Sequence, residues 1–392
     1  MIDLNADIGF RNATKYGEEL CGDHMDVITQ EDGSTVIVLA DGLGSGVKAG
    51  ILSTLTSKMI STMMAKGLPI SECVETIAKA LPICSKRHIA YSTFTIIRLI
   101  RNKEVEIFQY DNPLVICLRN GKNYEFNKTK LEIDNKSIYY SRFDLCENDM
   151  FIAVSDGCTH AGIGESLPFG WQRESIISFM EDCYSPTFTS KAVTTLLFEE
   201  CMRYYNGKPK DDTTICTIRM RKGEYLNVAF GPPVKKADDE KMMSTFFERK
   251  GKHIICGGTT ANIASRYLKK PLVVDNPVYI DPDVPPVASI EGVDLVTEGV
   301  LTISKVLLYA RDYLGSNRYY YRWSSGKDGA SLISRMMFIE ATDIRFIVGQ
   351  AINSAHQSTK LLPVSFNIKM QLVAQLSKCL KKMGKNIQIT YM

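Results

Sequence analysis

Three strand-like runs follow one another between residues 92 and 119 with no helix between them, and nothing else in the chain constrains its fold as much. Residues 92–100, 104–110 and 114–119 carry period-two or continuous apolar patterns. Connections this short join only antiparallel neighbours, because a parallel pair needs a crossover of a dozen or more residues. Asn120-Gly121 adds a hairpin signal, since both central residues of that turn need positive φ. Residues 35–40 form an apolar, β-branched run expected to be a buried strand, and 149–155 and 213–219 read as two more. Between these runs the period becomes helical. Val47, Ile51, Leu55, Met59 and Met63 recur every four residues, with Leu52, Ile60 and Met64 beside them, and predict one broad apolar stripe on a helix. A second helix is expected after Pro69, and two more between residues 173 and 205. Strand runs between helix pairs disfavour a parallel, doubly wound sheet in this half.

A chain of 392 residues is too long for one ordinary core. The composition breaks near residues 222–236, where Gly231-Pro232-Pro233 cannot continue a helix or a central strand. The organisation read from this is a first domain over 1–222, a linker over 223–236 and a second, α/β domain over 237–392. In the second domain, strands are expected at 253–256, 272–274, 293–296, 345–348 and 387–390, with helices at 261–268, 298–313, 328–340 and 367–383. Gly257-Gly258-Thr259-Thr260 follows a strand and opens a helix, a setting in which backbone N–H groups can cradle an anion. It lacks a full phosphate-loop or dinucleotide fingerprint, and a tight turn with a helix cap is the alternative. If the sheet is parallel, the loops 297–299 and 349–353 meet it at the carboxyl edge. A regulatory or ligand-binding role is expected for this domain.

The formal net charge is only +3, from 47 Lys+Arg against 44 Asp+Glu, so nothing demands nucleic acid or a membrane surface as a partner. No apolar run approaches the roughly 18 residues that span a bilayer. The first residues carry acid early and lack the basic and apolar regions of a secretory signal. The 11 cysteines are scattered, with no CxxC pair, which points to a reduced, cytoplasmic chain whose thiols act as small apolar side chains.

Three aspartates stand at comparable places. Asp41-Gly42 closes the strand 35–40, Asp156-Gly157 closes the strand 149–155, and Asp211-Asp212 opens the strand 213–219. A lone Asp-Gly is ordinarily a turn. Three short carboxylates on the rim of one sheet system suit hard cations with oxygen ligands, magnesium or manganese above all. Without a cation they would raise each other's pKa. Gly44, Ser45 and Gly46 lead into the helix at Val47, with Ser45 a candidate cap.

Ala40-Asp41-Gly42-Leu43-Gly44-Ser45-Gly46, Val154-Ser155-Asp156-Gly157 and Asp211-Asp212-Thr213-Thr214 resemble the ordered motifs of the metal-dependent, PPM-type serine/threonine protein phosphatases, in their bacterial SpoIIE-like branch. Cys21-Gly22-Asp23 and the hairpin around Asn120-Gly121 agree with it, and the resemblance covers residues 1–222. It implies an α+β fold, a PPM-like β-sandwich flanked by helix pairs, followed here by the smaller α/β domain. It also implies two divalent ions, Mn²⁺ or Mg²⁺, with Asp41 bridging them and the Gly42 carbonyl as a ligand. Asp156 would hold one ion and Asp211 the other, Asp212 being second choice, with Asp23 in contact directly or through water. The implied activity is hydrolysis of phosphoserine or phosphothreonine on a regulatory protein, such as an anti-sigma-factor antagonist, by a metal-activated water. A non-catalytic phosphatase-like binding module and a phosphatase for a small phosphorylated molecule are the alternatives. Leu43 stands where eukaryotic members carry a histidine, and His160 is the nearest replacement by sequence, as a general acid or as a plain loop histidine.

Overall fold

The computed structural model describes residues 4–30, 32–80, 92–134, 136–274, 286–315, 317–351 and 364–392. It divides into two compact units, 1–222 and 223–392.

In the first unit the strands are β1 (Leu4–Ala13), β2 (Asp23–Thr29), β3 (Thr35–Asp41), β4 (Thr93–Ile100), β5 (Glu104–Tyr110), β6 (Ile116–Arg119), β7 (Lys122–Asn123), β8 (Thr129–Ile133), β9 (Lys136–Asp144), β10 (Asp149–Val154) and β11 (Thr213–Lys222). The helices are α1 (Gly46–Ala65), α2 (Ile70–Ala80), α3 (Asp156–Thr159), α4 (Arg173–Cys183) and α5 (Ser190–Tyr204). One sheet has the order β1-β11-β10-β6-β7 and the other β2-β3-β4-β5-β9-β8. Every pairing in both is antiparallel. Asn120 and Gly121 have φ of 50° and 78°, and the hairpin pairs Arg119 with Lys122 across them, as their sequence predicts.

Three apolar layers make the sandwich. Ile37, Leu39, Ile97 and Ile107 of one sheet meet Phe151, Ala153, Cys216 and Ile218 of the other in the central layer. Val36, Val38 and Ile96 point the opposite way, onto Ile60, Met64, Val74 and Ile77 of α1 and α2. On the far side, Ile116, Met150 and Ile152 pack against Ile176, Val193 and Leu197 of α4 and α5. Strand β3 is therefore covered on both faces, which is why its sequence is an unbroken apolar run rather than an alternating one.

The stripe expected on α1 is buried only toward the end of the helix, where Ile60 and Met64 lie in the core and Met59 and Met63 pack against it. Val47 and Ile51 are 57% and 54% exposed, and Leu55 is exposed as well. Ala49, Ser53, Thr56, Ser57 and Ser61, outside that stripe, are buried as well. The helix lies close over β2, where small side chains fit and where hydroxyls find partners. His24 Nδ1 lies 2.7 Å from Ser57 Oγ, and Ser61 donates to Asp26. Apolar periodicity alone misses a helix that docks through serines.

The second unit holds β12 (Tyr225–Phe230), β13 (Lys252–Cys256), β14 (Val273–Val274), β15 (Ala288–Ser289), β16 (Leu295–Thr297), β17 (Asp343–Val348) and β18 (Asn386–Tyr391). Its helices are α6 (Asp239–Phe247), α7 (Gly258–Leu268), α8 (Val300–Leu314), α9 (Tyr320–Ser325), α10 (Gly329–Arg335) and α11 (Val364–Lys382). The sheet order is β14-β15-β16-β13-β12-β17-β18. The five strands from β16 to β18 in that order are parallel. Helices α6 and α7 pack on one face, and α8, α10 and α11 on the other.

The linker expected over 223–236 is corrected by this topology. Residues 225–230 form β12, which lies at the centre of the sheet between β13 and β17. Leu226, Val228, Ala229 and Phe230 are buried. Gly231-Pro232-Pro233 ends a core strand rather than separating two domains. Ile352 and Asn353 of the loop expected at 349–353 lie outside the described residues. Among the described residues no helix is long and apolar enough to cross a membrane. Cys73, Cys117, Cys158, Cys201, Cys216 and Cys256 are buried free thiols, used as small apolar side chains.

Candidate metal centre

The aspartates gather from both sheets of the first unit. Asp41, the last residue of β3, lies directly across from Asp23, the first residue of β2. On the other sheet, Asp156 follows β10 and Asp211-Asp212 precede β11, and Ser155 and Thr214 tie these ends together through bonds of 3.0 Å and 2.8 Å. Strand ends set by two ladders thus fix four carboxylates at one rim without asking the core to accommodate them.

Tight backbone approaches form the floor of the rim. A Cβ on Gly42 would fall 2.1 Å from the Ala49 carbonyl oxygen of α1, and one on Gly157 would fall 2.1 Å from the Asp212 carbonyl oxygen. Both positions admit only glycine, which is the physical content of the two Asp-Gly pairs.

The electrostatics record the crowding. Burial pushes the Asp41 carboxyl up to about 9, with the charges of Asp23, Asp156 and Asp211 adding to it. Burial likewise raises Asp23 to about 7, aided by Asp212 and Asp156 and opposed by the hydroxyls of Ser155 and Thr214. Neither Asp23 oxygen makes a hydrogen bond of normal geometry, although the residue is only 4% exposed. Asp211 is raised by burial and by Asp156, while the Asp212 N–H at 3.0 Å and the Lys15 charge pull it down.

Asp156, Asp211 and His160 present ligand atoms within 4.8 Å of one another, and His160 Nδ1 is 3.9 Å from the Asp156 carboxylate. Asp212 is buried too, and its charge adds to the rise of Asp23 and Asp211. One of its oxygens accepts the Lys15 N–H at 3.0 Å, and the other has no partner. Unpartnered, buried carboxylate oxygens with raised pKa values are costly unless a cation satisfies them. An all-oxygen set with one imidazole beside it fits magnesium or manganese.

Sequence reasoning did not find the segment that closes the rim from residues 15–18. The Lys15 backbone holds Asp212, and Glu18 accepts the Ser45 hydroxyl at 3.0 Å. Ser45 does occupy the position before α1, yet its side chain serves Glu18 instead of capping the helix. These partners lie far apart in sequence and share no periodic signal.

Residues 31–221 match the family described as Stage II sporulation protein E (SpoIIE). Over these residues the first unit is SpoIIE-like. A curated relative, stage II sporulation protein E of Priestia megaterium, is 20% identical over 219 residues, which are 55% of this chain and 36% of that protein. The chain thus spans about a third of that relative's length. The PP2C phosphatase domain of Bacillus subtilis SpoIIE with a fragment of its regulatory domain aligns at TM-score 0.48 and 20% identity, over 57% of this chain and 65% of that one. The RsbU and RsbW domains of a Mycobacterium tuberculosis protein align at TM-score 0.49 and 14% identity, over 62% and 69%. In this SpoIIE-like domain, Asp41, Asp156 and Asp211 lie inside the matched segment, and Asp23 lies before it.

Proposed function

We propose that the SpoIIE-like domain is a metal-dependent phosphatase hydrolysing phosphoserine or phosphothreonine on a regulatory protein, with two divalent ions, Mn²⁺ or Mg²⁺, as its cofactors. The carrying observation is the convergence of Asp23, Asp41, Asp156 and Asp211 from two sheets at one rim, with burial and mutual repulsion raising Asp23, Asp41 and Asp211. Asp41 would serve both ions and the Gly42 carbonyl would be a further ligand, Asp156 and Asp211 would hold the ions individually, and Asp23 would be in contact directly or through water. Such a pair of cations supplies a deprotonated water near neutral pH and neutralises the phosphoryl oxygens. His160, 3.9 Å from the Asp156 carboxylate, would give a proton to the departing serine or threonine oxygen, a metal-bound water being the alternative donor.

A thiol nucleophile is disfavoured. Burial, with the charge of Asp23 adding, pushes Cys21 up to about 12, so it remains protonated at neutral pH. The choice of a regulatory protein as substrate, an anti-sigma-factor antagonist among the candidates, rests on the likeness to the sporulation protein. The second unit is proposed to regulate the first.

The test is turnover of a phosphoserine peptide by Asp41→Ala and Asp156→Ala in the full chain with manganese. Both should fall below detection while melting stays cooperative. Near-wild-type activity in either refutes the assignment.

A further inference from the structure

The five parallel strands of the second unit follow the spatial order third, second, first, fourth, fifth, counted along the chain. In such a sheet the loops at the carboxyl ends of the strands form the crevice in which ligands bind. The turn after β13 leads at that edge into α7, an 11-residue helix with Gly257 as its N-cap at φ 113°. Gly257 has no side chain with which to cap, and the first turn contains no acidic residue. The N–H groups of Gly258, Thr259 and Thr260 meet no acceptor among the described residues. Gly258 and Thr259 are exposed, and nothing lies within 4 Å of where a Cβ on Gly258 would stand.

Thr260 is the second, independent observation. Its side chain is fully buried, and its hydroxyl has no hydrogen-bond partner. The oxygen lies 3.7 Å from the position of a Cβ on Gly257, so it is directed at the open end of the helix. An orphaned buried hydroxyl is costly unless an incoming acceptor satisfies it. The neighbouring helix α8 shows an acceptor satisfying the backbone N–H groups of a helix end, its own Thr302 hydroxyl staying unpartnered among the described residues. The carboxylate of Glu298 takes the N–H groups of Leu301 and Thr302 at 3.0 Å and 3.4 Å. Among the described residues none does this for α7. At the same edge, the buried Lys369 ammonium is held by the Gly349 and Ala351 carbonyls after β17.

We propose that the N-terminus of α7 binds the phosphate group of a small molecule, through the Gly258 and Thr259 N–H groups and the Thr260 hydroxyl. Backbone N–H groups at the positive end of a helix dipole suit a dianion, and the free space at Gly258 admits its oxygens. The proposal does not depend on the phosphatase assignment.

The experiment titrates the full chain with inorganic phosphate and with ADP by calorimetry. Chelator is present throughout, so that the aspartates of the first unit repel anions instead of holding them through metal. The Gly258 amide is followed by NMR. Saturable binding should shift that amide. Thr260→Val, which keeps the shape of the side chain, and Gly258→Asp, which supplies an internal carboxylate at an exposed position, should each weaken binding about tenfold or more, in line with loss of a hydrogen bond to a charged group. ADP binding at least tenfold tighter than phosphate identifies a nucleotide as the source of the group, and equal affinities identify free phosphate. No saturable binding of either at millimolar concentration, or binding that both variants retain unchanged, overturns the proposal.

Discussion

Asp23 and Asp41 face each other across the β2–β3 pair, and their carboxyls are pushed up to about 7 and about 9. Like charges directly opposite on neighbouring strands destabilise a sheet. A fold that keeps this pair therefore holds a strained arrangement that a divalent cation would relieve.

The strain sets the pH dependence of the metal-free protein. Both groups bind protons more tightly folded than unfolded. Their contribution favours folding below the ordinary carboxylate pKa, near 4, and is lost as pH rises through about 7 for Asp23 and about 9 for Asp41. In chelator, Asp41→Asn should melt higher than wild type, by roughly 2–4 °C for each kcal/mol of repulsion removed, and the gap should widen from pH 5 to pH 9. Melting curves of the two proteins check this, and a gap that is absent or narrows with pH contradicts it.

Asp211 and Asp212 separate by what they touch. Asp211 joins Asp156 and His160, while Asp212 holds the Lys15 backbone. Asp211→Ala should remove activity and weaken manganese binding. Asp212→Ala should retain measurable turnover. Manganese affinity by calorimetry and initial rates decide the order, and the reverse order means that Asp212 is the ligand.

Gly42→Ala should destabilise the domain by about 1–3 kcal/mol, the usual cost of forcing atoms into a packed site. The added Cβ lands on the Ala49 carbonyl oxygen and drives α1 away from the rim. Denaturant melts measure the loss, and a wild-type midpoint would show that α1 yields freely.

His160→Gln tests the proton donor. Turnover of a phosphoserine peptide should fall about 100-fold, the ordinary scale of general-acid assistance, while p-nitrophenyl phosphate, whose leaving group needs no proton, should be nearly unaffected. Equal losses on both, together with weakened manganese binding, would make His160 a ligand instead.

Much of this architecture was legible in the chain, and the omissions have physical causes. Period-two runs and the Asn120-Gly121 turn specify antiparallel strands because their register is local. Asp41, Asp156 and Asp211 stand out because each adjoins an apolar strand. Strand β1 was missed, since LNADIGFRNA carries polar residues through its length and is held by its full register with β11, more than 200 residues away. Strand β12 was hidden by the Gly-Pro-Pro that follows it. The small polar members of the buried face of α1 went unread because Ser57 and Ser61 dock by hydrogen bonds that no hydrophobic pattern encodes. Lys15 and Glu18 reach the rim through contacts that only the folded chain creates.

The central claim is that divalent cations held by the aspartate rim carry the chemistry. Its most direct test is phosphoserine-peptide turnover by the full chain, first in excess chelator and then with manganese restored. The account predicts no detectable turnover in chelator and recovery as manganese saturates the rim, with Asp41→Ala inactive in both. Undiminished turnover in excess chelator would contradict it.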